Sequence, residues 1–233
     1  MRLDKFICET TELTRSQAKK LLKAGEVTCN GAVVKDASFK VSLDTEVMID
    51  DQPLELIGDR YIMMNKPMDT ICSTIDEHYP SVISLLDVPK AEELHIAGRL
   101  DADTTGLVLI TNDGQWSHKI TSPKKKCCKR YVAELADPIE ESAIPLFAEG
   151  IQLNGEDGLT LPAELEILNE HIVVLTIYEG KYHQVKRMFA AIGNKVIGLH
   201  REAIGQIELE EDIEPGEWRY LTEEEINSVH NRT

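Results

Sequence analysis

The run Thr105 to Thr111, TGLVLIT, is the segment that most limits what this chain can fold into. Its apolar and β-type residues follow one another without polar alternation, which over so short a length reads as a buried strand. Immediately before it, AGRLDADT carries Asp101 and Asp103 on a turn, with Gly98 and Gly106 on either side permitting a tight backbone path. A carboxylate held at a strand entrance is a nucleophile, a general base or a cap of its own turn. Asp103 and Thr104 suit the cap, since their short side chains reach the turn's own backbone.

Around this strand the pattern is mixed. Thr14 with Gln17 spells a capping box opening a helix through SQAKKLLKAG, with Gly25 as its stop. Asn30-Gly31 lies between two short β-type runs and signals a hairpin. Two helices, that hairpin and two further short strands fit into Met1 to Asp51, and DDQPLELIGD follows as a linker. Beyond it, RYIMMNKP reads as a strand ended by Pro67, KRYVAEL as another, and HIVVLTIYEG as a long one ended by Gly180. YHQVKRMFAAIG has helical spacing with Gly193 as its stop, and Thr222 with Glu225 caps a last short helix. These segments do not alternate as strand-helix units, so the expected class is α+β with a mostly antiparallel mixed sheet. The expected division is a small helix-helix-hairpin domain over residues 1–57 and a larger domain over 58–233.

The 233 residues are 42% apolar, enough for a real core, and contain neither a membrane-length apolar run nor a secretory leader at MRLDKFICET. A cytoplasmic protein is expected. The five cysteines, at 8, 29, 72, 127 and 128, include no C-x-x-C pair and read as free thiols rather than as a metal site. A formal net charge of -16 argues at first against a polyanionic partner, but the charge is segregated. Glu134 to Glu170 holds ten acids and no Lys or Arg, whereas Trp116 to Tyr131 holds six Lys or Arg and no acid, and Lys181 to Arg201 holds five and none. Such blocks describe a polarised surface with one basic side. Arg2, Lys5, Arg15, Lys19, Lys20 and Lys23 gather likewise on and around the first two helices.

No P-loop, dinucleotide-binding glycine motif, nucleophile elbow or H-E-x-x-H is present, so neither a nucleotide cofactor nor a metal is expected. D-x-D-x-T also occurs in aspartyl-phosphate phosphatases of the haloacid dehalogenase type. There, however, the first Asp ends an apolar strand, and here the apolar run follows it.

GRLDADTTGLVLIT, KKCCKRYVAEL and EGKYHQVKRMFAAIGNKVIGLHR occur in the order and approximate spacing of the pseudouridine synthases that act on small-subunit ribosomal RNA, which the chain resembles over essentially its whole length. The N-terminal RLDKFI and TRSQAKKLLKAGEVTCNG resemble the S4 RNA-binding domain. The resemblance implies that Asp101 is the catalytic aspartate, that Tyr131 stacks on the target base and takes part in proton transfer, and that Lys186 pairs with the aspartate. It implies 16S ribosomal RNA, bare or within a small-subunit assembly intermediate, as partner, with no cofactor and a monomeric enzyme. The basic blocks then supply RNA contacts, with Lys124, Lys125 and Lys126 in one and His183, Gln184 and Arg187 in the other. Arg99 either orients a phosphate or caps the turn, and Arg2, Lys5, Arg15, Lys19, Lys20 and Lys23 make the S4-like unit a docking arm that tracks phosphates.

These roles fit one reaction. Converting uridine to pseudouridine breaks the N1 to C1′ bond, turns the uracil and rejoins it through C5, with no redox change. A carboxylate attacks either C1′ or C6, a neighbouring cation such as Lys186 favours its charged form, and a flipped base regains stacking on an aromatic face. Two readings from other classes stand beside it: a non-catalytic RNA-binding assembly factor, and a magnesium-dependent phosphatase using both Asp101 and Asp103.

Overall fold

Leu3, Phe6 and Ile7 recur at helical spacing and bury the inner face of α1 (Leu3–Thr10) against Ala18 and Leu22 of α2 (Arg15–Ala24). The Thr14 hydroxyl accepts from the Gln17 N–H at 3.3 Å and the Gln17 side chain accepts from the Thr14 N–H at 2.8 Å, which opens α2 as a reciprocal cap. Gly25, at φ 82°, closes it. β1 (Val27–Cys29) turns into β2 (Ala32–Val33) through Asn30 and Gly31, both at positive φ as a primed two-residue turn requires. β3 (Val47–Ile49) and β4 (Gln52–Leu54) complete a sheet ordered β2-β1-β3-β4. The expected linker DDQPLELIGD therefore needs correcting, because its first half is a hairpin. Asp50 and Asp51, both at positive φ, make the turn, and Pro53 is tolerated because β4 is an edge strand.

The computed structural model describes residues 1–230, and contacts divide the chain into two compact units, Met1–Asp59 and a second beginning at Arg60. Residues 231–233 of the expected larger domain lie outside the described residues.

The second unit is built on one nine-stranded sheet. Its elements run β5 (Tyr61–Lys66), β6 (His95–Ala97), β7 (Thr105–Thr111), α3 (Gly114–Thr121), β8 (Lys129–Leu135), α4 (Ala143–Glu149), β9 (Glu164–Ile167), β10 (Ile172–Ile177), α5 (Gln184–Ala191), β11 (Val196–Ile204), β12 (Ile207–Glu208), β13 (Trp218–Tyr220) and α6 (Glu223–His230). The order is β13-β5-β7-β11-β8-β10-β9, with β6 paired to β7 and β12 to β11. Within it β7 and β11 run parallel and the other pairings are antiparallel, so the protein is α+β as expected.

Strands β5 and β7 are buried on both faces. Ile62, Met64, Val108 and Ile110 enter one core with Phe147 and Phe189, while Met63, Leu107 and Leu109 enter a second with Trp116 and Ile120 of α3. This two-sided burial explains the unalternating TGLVLIT. β10 stops at Ile177 rather than running to Gly180, because Glu179 turns inward to accept from the Leu161 N–H at 2.7 Å and from the Gln184 amide at 3.0 Å.

Candidate active site

Gly106, at φ 104°, is where β7 meets β11: a Cβ there would sit 2.2 Å from the Arg201 carbonyl oxygen, so only glycine lets the two parallel strands close. The turn that feeds β7 is held from beneath. Lys66, fully buried, donates to the carbonyls of Pro67 (2.9 Å) and Ala102 (3.2 Å). The Asp69 N–H also donates to Ala102 (2.9 Å), and the Leu100 N–H donates to the Cys72 sulfur (3.3 Å). Burial pulls the Lys66 ammonium below its ordinary pKa and pushes the Cys72 thiol up.

On this turn the Asp101 side chain is about one-third exposed, and both its oxygens are engaged. Lys186 Nζ lies 3.2 Å from Oδ2, and His183 Nε2 lies 3.1 Å from Oδ1. Both partners come from the start of α5, where His183 takes a left-handed backbone, φ 48°. Lys186 also reaches Asp103, at 2.6 Å. Burial alone lowers the Lys186 pKa, but its hydrogen bonds to Asp103 and Asp101 outweigh that and raise it overall. The same hydrogen bond holds the Asp103 carboxyl below its usual range. Asp103 thus does more than cap its turn, while the Thr104 hydroxyl, expected to bond the turn's backbone, is buried with no hydrogen-bond partner among the described residues. Lys186 Nζ thus bridges the two aspartates.

Tyr131 alternates inward from β8 and is buried. Its hydroxyl is 3.4 Å from Arg201 Nη1, with the guanidinium carbon 5.9 Å from the ring centroid. Arg201 is itself buried and donates to the carbonyls of Leu107 and Gly98, each at 2.8 Å. Lys129, on the same strand as Tyr131, donates to the Ile120 and Cys127 carbonyls, and burial lowers its pKa. Among the described residues Lys66, Lys129 and Arg201 form no ion pair with a carboxylate, and each donates to backbone carbonyls instead. Asp101, Arg99, Tyr131, His183, Lys186 and Arg201 line one cavity of about 780 Å³, a size suited to a nucleoside.

Of the other residues expected to contact RNA, Gln184 also lines this cavity and the rest are not among its lining residues. Gln184 is buried, and its side chain serves Glu179, Met188 and the Lys181 N–H, because α5 needs an N-terminal bracket against the sheet. Arg187 is committed to Glu156 (3.1 Å) and to the carbonyls of Tyr182 and Asn154, each at 2.9 Å. Arg2 holds the buried Asp4 through two 3.0 Å bonds, and Lys5 pairs with Glu9 at 3.3 Å. Lys124, Lys125 and Lys126 are exposed after α3 and do not line the cavity. Arg15, Lys19, Lys20 and Lys23 are exposed on α2. The sequence reading missed Lys66 and Arg201. Both act on backbone carbonyls brought near by the fold, and neither has a partner at a telling spacing.

The description RNA pseudouridylate synthase matches residues 60–191, and the S4 domain description matches residues 1–47. The chain is 57% identical over 229 residues to the ribosomal small subunit pseudouridine synthase A of Vibrio cholerae, covering 98% of this chain and 99% of that one. It is 54% identical over 230 residues to the protein of the same name from Haemophilus influenzae, again covering 98% and 99%. A crystal structure of a pseudouridylate synthase superposes with a TM-score of 0.71 at 53% identity, covering 98% of this chain and 99% of the other.

Proposed function

The chain belongs to the RNA pseudouridylate synthase family, and from that premise we propose that it isomerises one uridine of 16S ribosomal RNA, with Asp101 as the nucleophile. The observation that carries this is the double engagement of Asp101 by Lys186 and His183 at the wall of a cavity that Tyr131 also lines. The target uridine enters that cavity flipped from its strand, and Tyr131 replaces part of the stacking it has lost. Asp101 attacks C1′ or C6, the N1 to C1′ bond breaks, the uracil turns, C5 takes the bond to C1′, and the bond to Asp101 breaks to restore the free carboxylate. The C5 proton then leaves and N1 regains a proton, so the product is an isomer and no co-reactant is consumed. Lys186 and His183 fix the carboxylate's rotamer for the attack. Lys186 offers a single-point contact where an arginine would form a fork.

The relatives' names support small-subunit RNA as the substrate class. The S4-like module, within residues 1–57, serves as a docking arm through Arg15, Lys19, Lys20 and Lys23, and the domain from 58 onward does the chemistry. The enzyme works as a cytoplasmic monomer, on bare 16S RNA or on a partly assembled subunit.

The test is pseudouridine mapping by carbodiimide labelling and primer extension on 16S RNA treated with the wild type or with Asp101→Asn, at matched salt. The expected result is one stop with the wild type and none with the variant, with RNA affinity kept within a few-fold. No stop with the wild type on bare or partly assembled RNA refutes the assignment and favours an assembly factor.

A further inference from the structure

Among the described large apolar side chains that line the cavity, Tyr182 alone is exposed, at 77%. Its ring lies flat on the imidazole of His183, with centroids 3.8 Å apart and planes 21° apart. His183 in turn touches Asp101. One face of the tyrosine is therefore backed by the residue that holds the reactive carboxylate, and the exposure lies on the rest of the ring.

The segment that carries Tyr182 is fixed on both sides. Arg187 donates to the Tyr182 carbonyl at 2.9 Å while bound to Glu156 and Asn154, Lys181 Nζ reaches Glu156 at 3.0 Å, and the Lys181 N–H donates to the Gln184 side chain at 2.9 Å. An exposed aromatic on a loosely held loop is an ordinary surface feature. One braced like this keeps a rigid π-face at a set distance from the nucleophile, with its ordering entropy already spent.

A strand that loses one base to a cavity leaves a neighbouring base without its stacking partner. We propose that the Tyr182 ring is a stacking subsite for a nucleotide adjacent to the flipped uridine, extending the Asp101–His183–Tyr182 column by one base. The inference rests on the RNA-isomerase reading above. Stacking of a base on an aromatic side chain changes affinity by about 5- to 150-fold on removal and tolerates any base.

The test is single-turnover kinetics on a 16S transcript containing the mapped uridine, either intact or with the base removed from the nucleotide on one side or the other. Tyr182→Trp should bind within about three-fold of wild type. Tyr182→Leu should bind the intact RNA about 5- to 150-fold more weakly, with the rate at saturation within a few-fold. Removing one of the two neighbouring bases should weaken wild type by a similar factor and Tyr182→Leu no further. Tyr182→Leu binding intact RNA within two-fold of wild type overturns the subsite and leaves the isomerase reading standing. So does an equal loss on intact and base-less RNA, which would mean that Tyr182 acts through His183 alone. A wild type that binds but modifies no 16S substrate overturns the isomerase reading, and the subsite with it.

Discussion

Lys186 offers the sharpest test of how the site is balanced, because one ammonium serves two carboxylates. At 3.2 Å its attraction to Asp101 is about 1.3 kcal/mol in a water-like dielectric and about 5 kcal/mol at an effective dielectric of 20. The pair is partly exposed, so Lys186→Met should cost about 2–4 kcal/mol in the single-turnover rate, or roughly 30- to 1000-fold. Part of that cost is indirect. Both carboxylates lie in reach of one nitrogen, so their nearest oxygens are no more than about 6 Å apart, and without the lysine they repel by about 0.7–3 kcal/mol. Asp103 is the more exposed partner, which places the value near the low end. Asp103→Asn alone should therefore leave the rate within about three-fold, while Lys186→Met with Asp103→Asn should recover about five-fold over Lys186→Met. The assay is pseudouridine formation with enzyme in excess over 16S RNA. A double variant no faster than Lys186→Met refutes the like-charge argument, and Lys186→Met within three-fold of wild type refutes the role of the lysine altogether.

Gly106→Ala should destabilise the second unit by about 3 kcal/mol, since the new Cβ meets strand backbone at 2.2 Å in a left-handed region; a urea midpoint equal to wild type would disprove the close approach. Replacing Arg15, Lys19, Lys20 and Lys23 together by Gln should reduce the slope of log affinity against log salt by about 3, and an unchanged slope in filter binding would remove α2 from the RNA interface. The Lys186–Asp103 pair also has a pH signature. The lowered Asp103 pKa means its contribution is present above about pH 3.9 and fades as pH falls through the folded value. The raised Lys186 pKa means its contribution is present below about pH 10.4 and fades as pH rises through the folded value. The difference in urea midpoint between wild type and Asp103→Asn should accordingly stay flat from about pH 5 to 9 and shrink below about pH 4, and a difference that grows on acidification would contradict the sign.

Features written in a few adjacent residues were legible from the sequence. The Thr14–Gln17 cap, the Asn30-Gly31 turn and the strand through KRYVAEL depend on local chemistry and occur where expected. The Asp50-Asp51 hairpin was not legible, because aspartates at positive φ lack the glycine that marks such turns and Pro53 disguises an edge strand. β11 escaped for a different reason: VIGLHREAI mixes glycine, histidine, arginine and glutamate, and its burial is imposed by neighbours far away in the chain. At the site, Asp101 and Lys186 were named through their motifs, and the fold brings them to 3.2 Å. Lys66 and Arg201 work by reaching carbonyls 36 and 103 residues away, a relation that no local pattern records.

The parallel pairing of β7 with β11 also sets an order of events during synthesis. β11 lies between β7, which the Asp101 turn feeds, and β8, which carries Tyr131, yet it is made about 60 residues after β8. A growing chain that has released β10 but not α5 leaves the facing edges of β7 and β8 without their partner and lacks both Lys186 and Arg201. The first unit, whose pairings all fall within its opening 54 residues, has by then everything it needs to fold. On the function proposed above, the docking module is complete before the catalytic strands, and a chain truncated before α5 is expected to bind RNA without modifying it.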